Sequence, residues 1–267
     1  MSAFEILDGS PDSTVIIHVP HGGMIIPNDV RGGIVLGDAD LANESVIMAD
    51  IATDQLARDV YARSVIKPWV FINNLSRLVI DPERFPDERE EMNSVGMGVV
   101  YTKTSDQQTL RLTDAVRDQK LVDEYFTPYS EALSELTSQV LEAHNHVTIL
   151  DLHSFAPVAL PYELHQDDAR PSLCLGADDF HTTQALIDQA RAAFANFESI
   201  AINQPFAGTY VPMAHFGQTI AVQSLMLEIR KDSYAFGDKD SEEYRAVVHS
   251  CFDLVERIEK ARADTRD

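Results

Sequence analysis

Two histidines, a set of carboxylates and one glutamate inside an apolar run are the residues whose chemistry stands out. His21 lies in Val19-Pro-His-Gly-Gly23 and His153 in Val147-Thr-Ile-Leu-Asp-Leu-His-Ser-Phe155, each just past a run of apolar or β-branched residues. Glu228 sits within the apolar stretch 220–230, where a carboxylate costs free energy to bury unless it is paired or put to work. Glu44, Asp50 and Asp54 fall in a helical stretch, with Asp50 and Asp54 four apart and so on one face. Two imidazoles, one carboxylate and a base are what a hydrolytic zinc site needs: three N/O ligands, an open position and a proton acceptor. No His-Glu-x-x-His motif is present, so the ligands must converge from distant parts of the chain. Residue type alone leaves Glu44, Asp50 and Asp54 open as third ligand. Each residue also has a plainer explanation: a glycine turn for His21, an Asp151-capped strand end for His153, an Asp54–Arg58 pair, and an acid near a helix start for Glu44.

The elements that must position these groups alternate along the chain. Residues 15–19 and 147–150 read as buried strands that stop in polar residues, and ligands in open α/β sheets gather where strands end. Val15 opens the first structured element in this reading. Apolar spacing predicts one helix over residues 41–60, a strand over 67–72, a glycine-rich strand over 95–101, and one long helix or two over 106–144, broken at Thr127-Pro128. Further strands are expected at 171–176, 200–202 and 220–230, with helices over 182–196 and 241–261 and a charged tail beyond. This order implies an α/β fold with a central mixed, largely parallel sheet and helices on both faces. Between two short apolar runs, Arg77, Asp81 and Arg84 occupy a loop-like stretch. Guanidinium forks there suit a carboxylate, and ion pairs with Asp81 could shape the loop as well.

A chain of 267 residues with 45% hydrophobic and 24% charged residues can bury a large core, and neither a composition shift nor a repeat divides it, so one domain over residues 1–267 is expected. Cys174 and Cys251 have no metal-type spacing. A formal charge of −22 argues against nucleic acid and anionic membranes, which need a basic face. The first residues carry no signal-peptide pattern and no window reaches membrane-spanning length, so a cytoplasmic protein is expected.

The chain resembles the N-formylglutamate amidohydrolase family. The resemblance rests on Val19-Pro-His-Gly-Gly23, Asp50-Ile-Ala-Thr-Asp-Gln-Leu56, Ser76-Arg-Leu-Val-Ile-Asp81 with Arg84, Asp151-Leu-His-Ser154, Leu173-Cys-Leu-Gly176, Pro205-Phe-Ala-Gly-Thr-Tyr210 and Met226-Leu-Glu-Ile-Arg230 with Tyr234. It implies a zinc-carboxypeptidase-like architecture, with His21, His153 and a helix carboxylate, Asp50 ahead of Asp54 and Glu44, binding zinc or another divalent metal. Glu228 would be the general base. Arg77 and Arg84, with Asp81, would hold substrate carboxylates, and Gly208 to Tyr210 would form pocket wall. The implied partner is a small anionic N-acyl amino acid, and the implied reaction hydrolyses N-formyl-L-glutamate to formate and L-glutamate, as in histidine degradation.

One position departs from the family pattern. Asp81-Pro-Glu-Arg84 stands where Asp-x-Asn-Arg is usual, so Glu83 replaces an amide that could help bind a carboxylate by an acid that would repel it. A different N-acyl amino acid therefore enters as a substrate. Two other classes remain as rivals: a binding protein that keeps the scaffold without catalysis, and a metal-independent hydrolase built on Ser154 and His153.

Overall fold

The computed structural model describes residues 2–264 apart from His165 and Asp168. Its centre is a seven-stranded sheet of β1 (Phe4–Leu7), β2 (Val15–Val19), β3 (Trp69–Asn73), β4 (Val147–Phe155), β5 (Leu173–Gly176), β6 (Ile200–Ile202) and β7 (Val222–Arg230), in the order β1-β3-β2-β4-β7-β5-β6. The four central strands β3, β2, β4 and β7 run parallel. β1 is antiparallel to β3, β5 is antiparallel to β7, and β6 is parallel to β5. The sheet is thus mixed and largely parallel, as the alternation of elements predicts. All nine residues of β4 are buried, which explains why its apolar run shows no two-residue alternation.

Helices cover both faces. On one side, α3 (Thr53–Arg63), α6 (Gln184–Ala193) and α7 (Glu242–Asp264) pack Leu56, Val60, Leu186, Val247 and Leu254 onto Ile17, Leu150 and Leu227. On the other, α5 (Thr127–His144) lays Tyr129, Leu133, Leu136 and Val140 against Ile16, Phe71 and Ile149. Fully buried aliphatic side chains such as Leu56 and Leu133 each contribute about 1.5–3 kcal/mol of transfer free energy. No helix among the described residues is long and apolar enough to cross a membrane.

Several elements differ from the sequence reading. The expected helix over 41–60 is two helices, α2 (Asp38–Met48) and α3, because Ala52 takes a left-handed φ of +61° and turns the chain between them. Asp50 lies in that turn, so it shares no helix face with Asp54. Glycine-rich residues 95–101 form no strand; a 3-10 helix over Glu91–Val95 leads into turns. The stretch 106–114 is not helical either: α4 (Ala115–Leu121) starts where Asp114 caps the amides of Val116 and Arg117, and a π turn over Val122–Phe126 joins it to α5. β1 precedes the expected first element. Arg58 pairs with Glu5 on β1 at 2.7 Å rather than with Asp54. The final helix runs to Asp264, and residues 265–267 of the charged tail lie outside the described residues.

Candidate metal centre and active-site cavity

Three parallel strands deliver the chemistry to one end of the sheet. Pro20 and His21 continue β2 past its last residue, while His153 and Glu228 are direct register partners near the carboxyl ends of β4 and β7. Asp50 joins them because α2 stops short. Its amide donates to the carbonyl of His21 at 3.0 Å, and its carbonyl accepts from Thr53 Oγ1 at 2.8 Å. The carbonyls released by the interrupted helix find side-chain donors: Lys231 Nζ donates to Ala49 and Ile47 at 2.7 and 3.3 Å, and the Tyr234 hydroxyl donates to Ile51 at 2.6 Å. Lys231 and Tyr234 follow β7, so the segment that carries Glu228 also grips both flanks of Asp50.

The donor atoms converge. His21 Nδ1 and His153 Nδ1 are 3.2 Å apart, and Asp50 Oδ2 lies 3.1 Å from His153 Nδ1 and 3.7 Å from His21 Nδ1. Donors around a tetrahedral ion at a radius of about 2.1 Å are separated by about 3.4 Å, so this triangle has the size of one coordination face.

Carboxylates stand behind both imidazoles. His21 Nε2 faces Asp81 Oδ1 at 2.8 Å, so it carries the proton and leaves a lone pair on Nδ1. Asp151 and His153, two apart on β4, share a face, and Asp151 Oδ1 lies 3.1 Å from His153 Nε2. Glu83 Oε2 stands 3.3 Å from the same nitrogen. His153 Nδ1 finds its hydrogen-bond partners inside the triangle, in Asp50 Oδ2 and His21 Nδ1, while its Nε2 has none, so a proton within the triangle joins the three groups and a divalent cation bound there would replace it. Carboxylates outnumber cations around this buried cluster, so its residues fit a divalent cation by charge as well as by spacing. Burial opposes the ionisation of Asp81, yet Arg77, His21 and Arg84 hold its carboxyl well below the usual range. Burial likewise opposes ionisation of Asp50, and the bonds from His153 and His21 lower its pKa.

A cavity of about 370 Å³ opens from this triangle. Glu228 lines it, with Oε2 buried and without a hydrogen-bond partner. Burial pushes its carboxyl up to about 8, which places it among groups able to take and return a proton near neutrality. Arg77 donates through Nε to the Tyr101 hydroxyl at 2.9 Å and through Nη2 to Asp81 at 2.6 Å. Arg84 stands in ion-pair range of Asp81 and Glu90 at 3.4 and 3.8 Å, and its Nε is buried without a hydrogen-bond partner.

The profile of a family described as N-formylglutamate amidohydrolase matches residues 13–235. The chain belongs to that family. The fold agrees with a crystallised N-formylglutamate amidohydrolase from Ralstonia eutropha JMP134, at 19% identity and TM-score 0.79, over 99% of this chain and 100% of that one. A gene product from Agrobacterium tumefaciens matches at 17% identity and TM-score 0.71, over 98% of this chain and 96% of that one. No curated protein sequence matches the chain. Membership in the N-formylglutamate amidohydrolase family makes this chain a member of a hydrolase family.

Most of the residues singled out in the sequence meet in this family member. His21, Asp50 and His153 form one group; Glu228, Arg77 and Arg84 line the adjoining cavity. Asp54 sits in the first turn of α3, outside the group. Glu44 is spent elsewhere: its oxygens accept from the Ser105 amide and hydroxyl at 2.6 and 2.8 Å. Asp81 is fully buried and bonds His21, Arg77 and Tyr101, so it faces the arginines and not the cavity. The loop after β6 presents Asn203, Pro205, Phe206 and Ala207 to the cavity, with Gly208 and Tyr210 behind; the Tyr210 amide donates to Asp151 Oδ2 at 3.2 Å and its ring lies against His18. Glu83 turns away from the arginines toward His153 and His18, so its charge meets imidazole edges. Ser154 Oγ is buried without a partner, and no hydrogen bond joins it to His153.

Composition carries no signal for His18, Lys231 or Arg111, and Tyr234 enters the sequence reading only through the resemblance. His18 bridges Asp151 at 2.9 Å and Tyr129 at 2.6 Å, and Arg111 is buried beneath the Arg77–Asp81 segment, donating to the Leu78 carbonyl. Only the register β2↔β4, which sets His18 opposite Asp151, brings the first pair together.

Proposed function

We propose that this chain is a metal-dependent amidohydrolase that cleaves the C–N amide bond of an N-acylated amino acid. The observation that supports the reading is the triangle of His21 Nδ1, His153 Nδ1 and Asp50 Oδ2, of the size of one coordination face, beside the buried and unpartnered Oε2 of Glu228. His21, Asp50 and His153 would hold zinc or another divalent ion. Once bound, that ion supplies Lewis acidity toward the scissile carbonyl and the attacking water.

The chain's own groups supply the rest. Glu228, whose Oε2 is buried in the cavity without a partner, takes a proton from the attacking water and later delivers it to the departing amine nitrogen. Arg84, the least committed cation of the cavity, receives the substrate α-carboxylate, with Arg77 alongside. Asp81 holds the His21 imidazole by a hydrogen bond so that Nδ1 faces inward, and Asp151 stands within ion-pair distance of His153 Nε2. One water is consumed, the acyl carbon leaves as a carboxylate, and the amino acid leaves as the amine. N-formyl-L-glutamate, the substrate in the family's name, fits this scheme, as does any N-acyl amino acid whose α-carboxylate reaches Arg84.

The test is formate release from N-formyl-L-amino acids by purified protein, with added zinc and after chelation. Zinc-dependent release is expected; release that survives complete chelation would overturn the metal-dependent reading.

A further inference from the structure

Among the described residues the cavity offers one open anchor for a carboxylate, and its remaining wall combines apolar side chains with further carboxylates. Among the described residues, the lysine and arginine side chains that line it are Arg77, Arg84 and Lys231. Arg77 is committed to Tyr101 and Asp81, and Lys231 Nζ to two backbone carbonyls. Arg84 makes only the longer ion-pair contacts to Asp81 and Glu90. One uncommitted guanidinium fork matches one carboxylate. Just outside, Arg170 lies over the rings of Phe155 and Phe206, but it is bound to Glu163 at 2.6 Å.

Glutamate derivatives carry a second carboxylate, and among the described residues the cavity has no further uncommitted lysine or arginine to meet it. Its walls contribute the apolar Ile47, Met48, Met92, Leu160 and Phe206 and the acids Glu83, Glu91 and Glu163. A side-chain carboxylate brought there would be desolvated without a partner, whereas an apolar side chain would be buried favourably. We infer that the substrate class of this chain is an N-acyl amino acid with a single carboxylate and a methionine- or leucine-like side chain, in preference to N-formyl-L-glutamate. The inference rests on the proposed amidohydrolase reading for the placement of the α-carboxylate at Arg84.

The test separates recognition from turnover. Calorimetric titration of zinc-loaded Glu228→Gln protein with N-formyl-L-methionine and with N-formyl-L-glutamate reads the preference without hydrolysis. The methionine derivative is expected to bind at least about tenfold more tightly. Equal or tighter binding of the glutamate derivative, or binding of neither, would overturn the inference. Formate release by the unaltered protein is read separately: a methionine preference in binding without any turnover would support the inference while refuting the hydrolytic reading.

Discussion

His21 Nε2 and Asp81 Oδ1 lie 2.8 Å apart, and this contact decides which nitrogen of His21 faces His153. With the proton held on Nε2, the Nδ1 lone pair faces His153 Nδ1 and Asp50 Oδ2 across a triangle the size of one coordination face. The same carboxylate binds Arg77 and Tyr101, so Asp81 ties the His21 imidazole to the arginine side of the cavity.

Asp81→Asn should therefore weaken divalent-metal affinity by about 10- to 100-fold, since an amide orients the ring but leaves it less basic. Competition against a chelator of known affinity measures the change. Unaltered affinity would show that the His21–Asp81 contact does not govern the tautomer.

Glu228→Gln should retain the metal and lose turnover by about 10²- to 10⁴-fold, because the amide is isosteric but takes no proton. Metal content and formate release measured on one preparation separate the two effects. Retained turnover would remove Glu228 from its role as base.

A stability effect far from the cavity follows from Glu259 on α7. Its carboxylate accepts from Ser13 Oγ at 2.7 Å, the Thr14 amide at 2.9 Å and Thr14 Oγ1 at 3.1 Å, fastening the last helix to the start of β2. Glu259→Ala leaves these buried donors unmet and should cost about 1–3 kcal/mol, read as a lower urea midpoint with unchanged slope.

His146 supplies a pH dependence. Burial holds its imidazole down to about 4 in the folded chain, against about 6.5 when unfolded. As pH falls below about 6.5 the unfolded chain binds a proton that the folded chain refuses until about 4, so this residue's contribution is intact above that window and declines through it. His146→Gln should lose less thermal stability between pH 7 and pH 5 than the unaltered protein does. Identical losses would show that His146 is not held neutral by the fold.

Much of this arrangement was legible in the sequence because buried parallel strands read as unbroken apolar runs. Residues 15–19, 147–155 and 222–230 carried that signal, and His21, His153 and Glu228 stand out where the runs meet polar groups. The turn that places Asp50 was not legible: Ala52 has a left-handed backbone without a glycine or asparagine to announce it. The turn is held by Lys231 and Tyr234, about 180 residues further on, which no local pattern can register. β1 escaped notice because four residues at a sheet edge, none of them fully buried, have too little periodicity to read. Glu83 was recognised as a departure, but the direction of its side chain depends on His18 and His153, contributed by two other strands.

Anomalous scattering at the zinc edge from crystals of zinc-loaded protein tests the central claim most directly. The account predicts one strong peak within coordination distance of His21 Nδ1, Asp50 Oδ2 and His153 Nδ1. A peak centred instead on His18, Glu83 and Asp151, or no peak at the triangle, would contradict it.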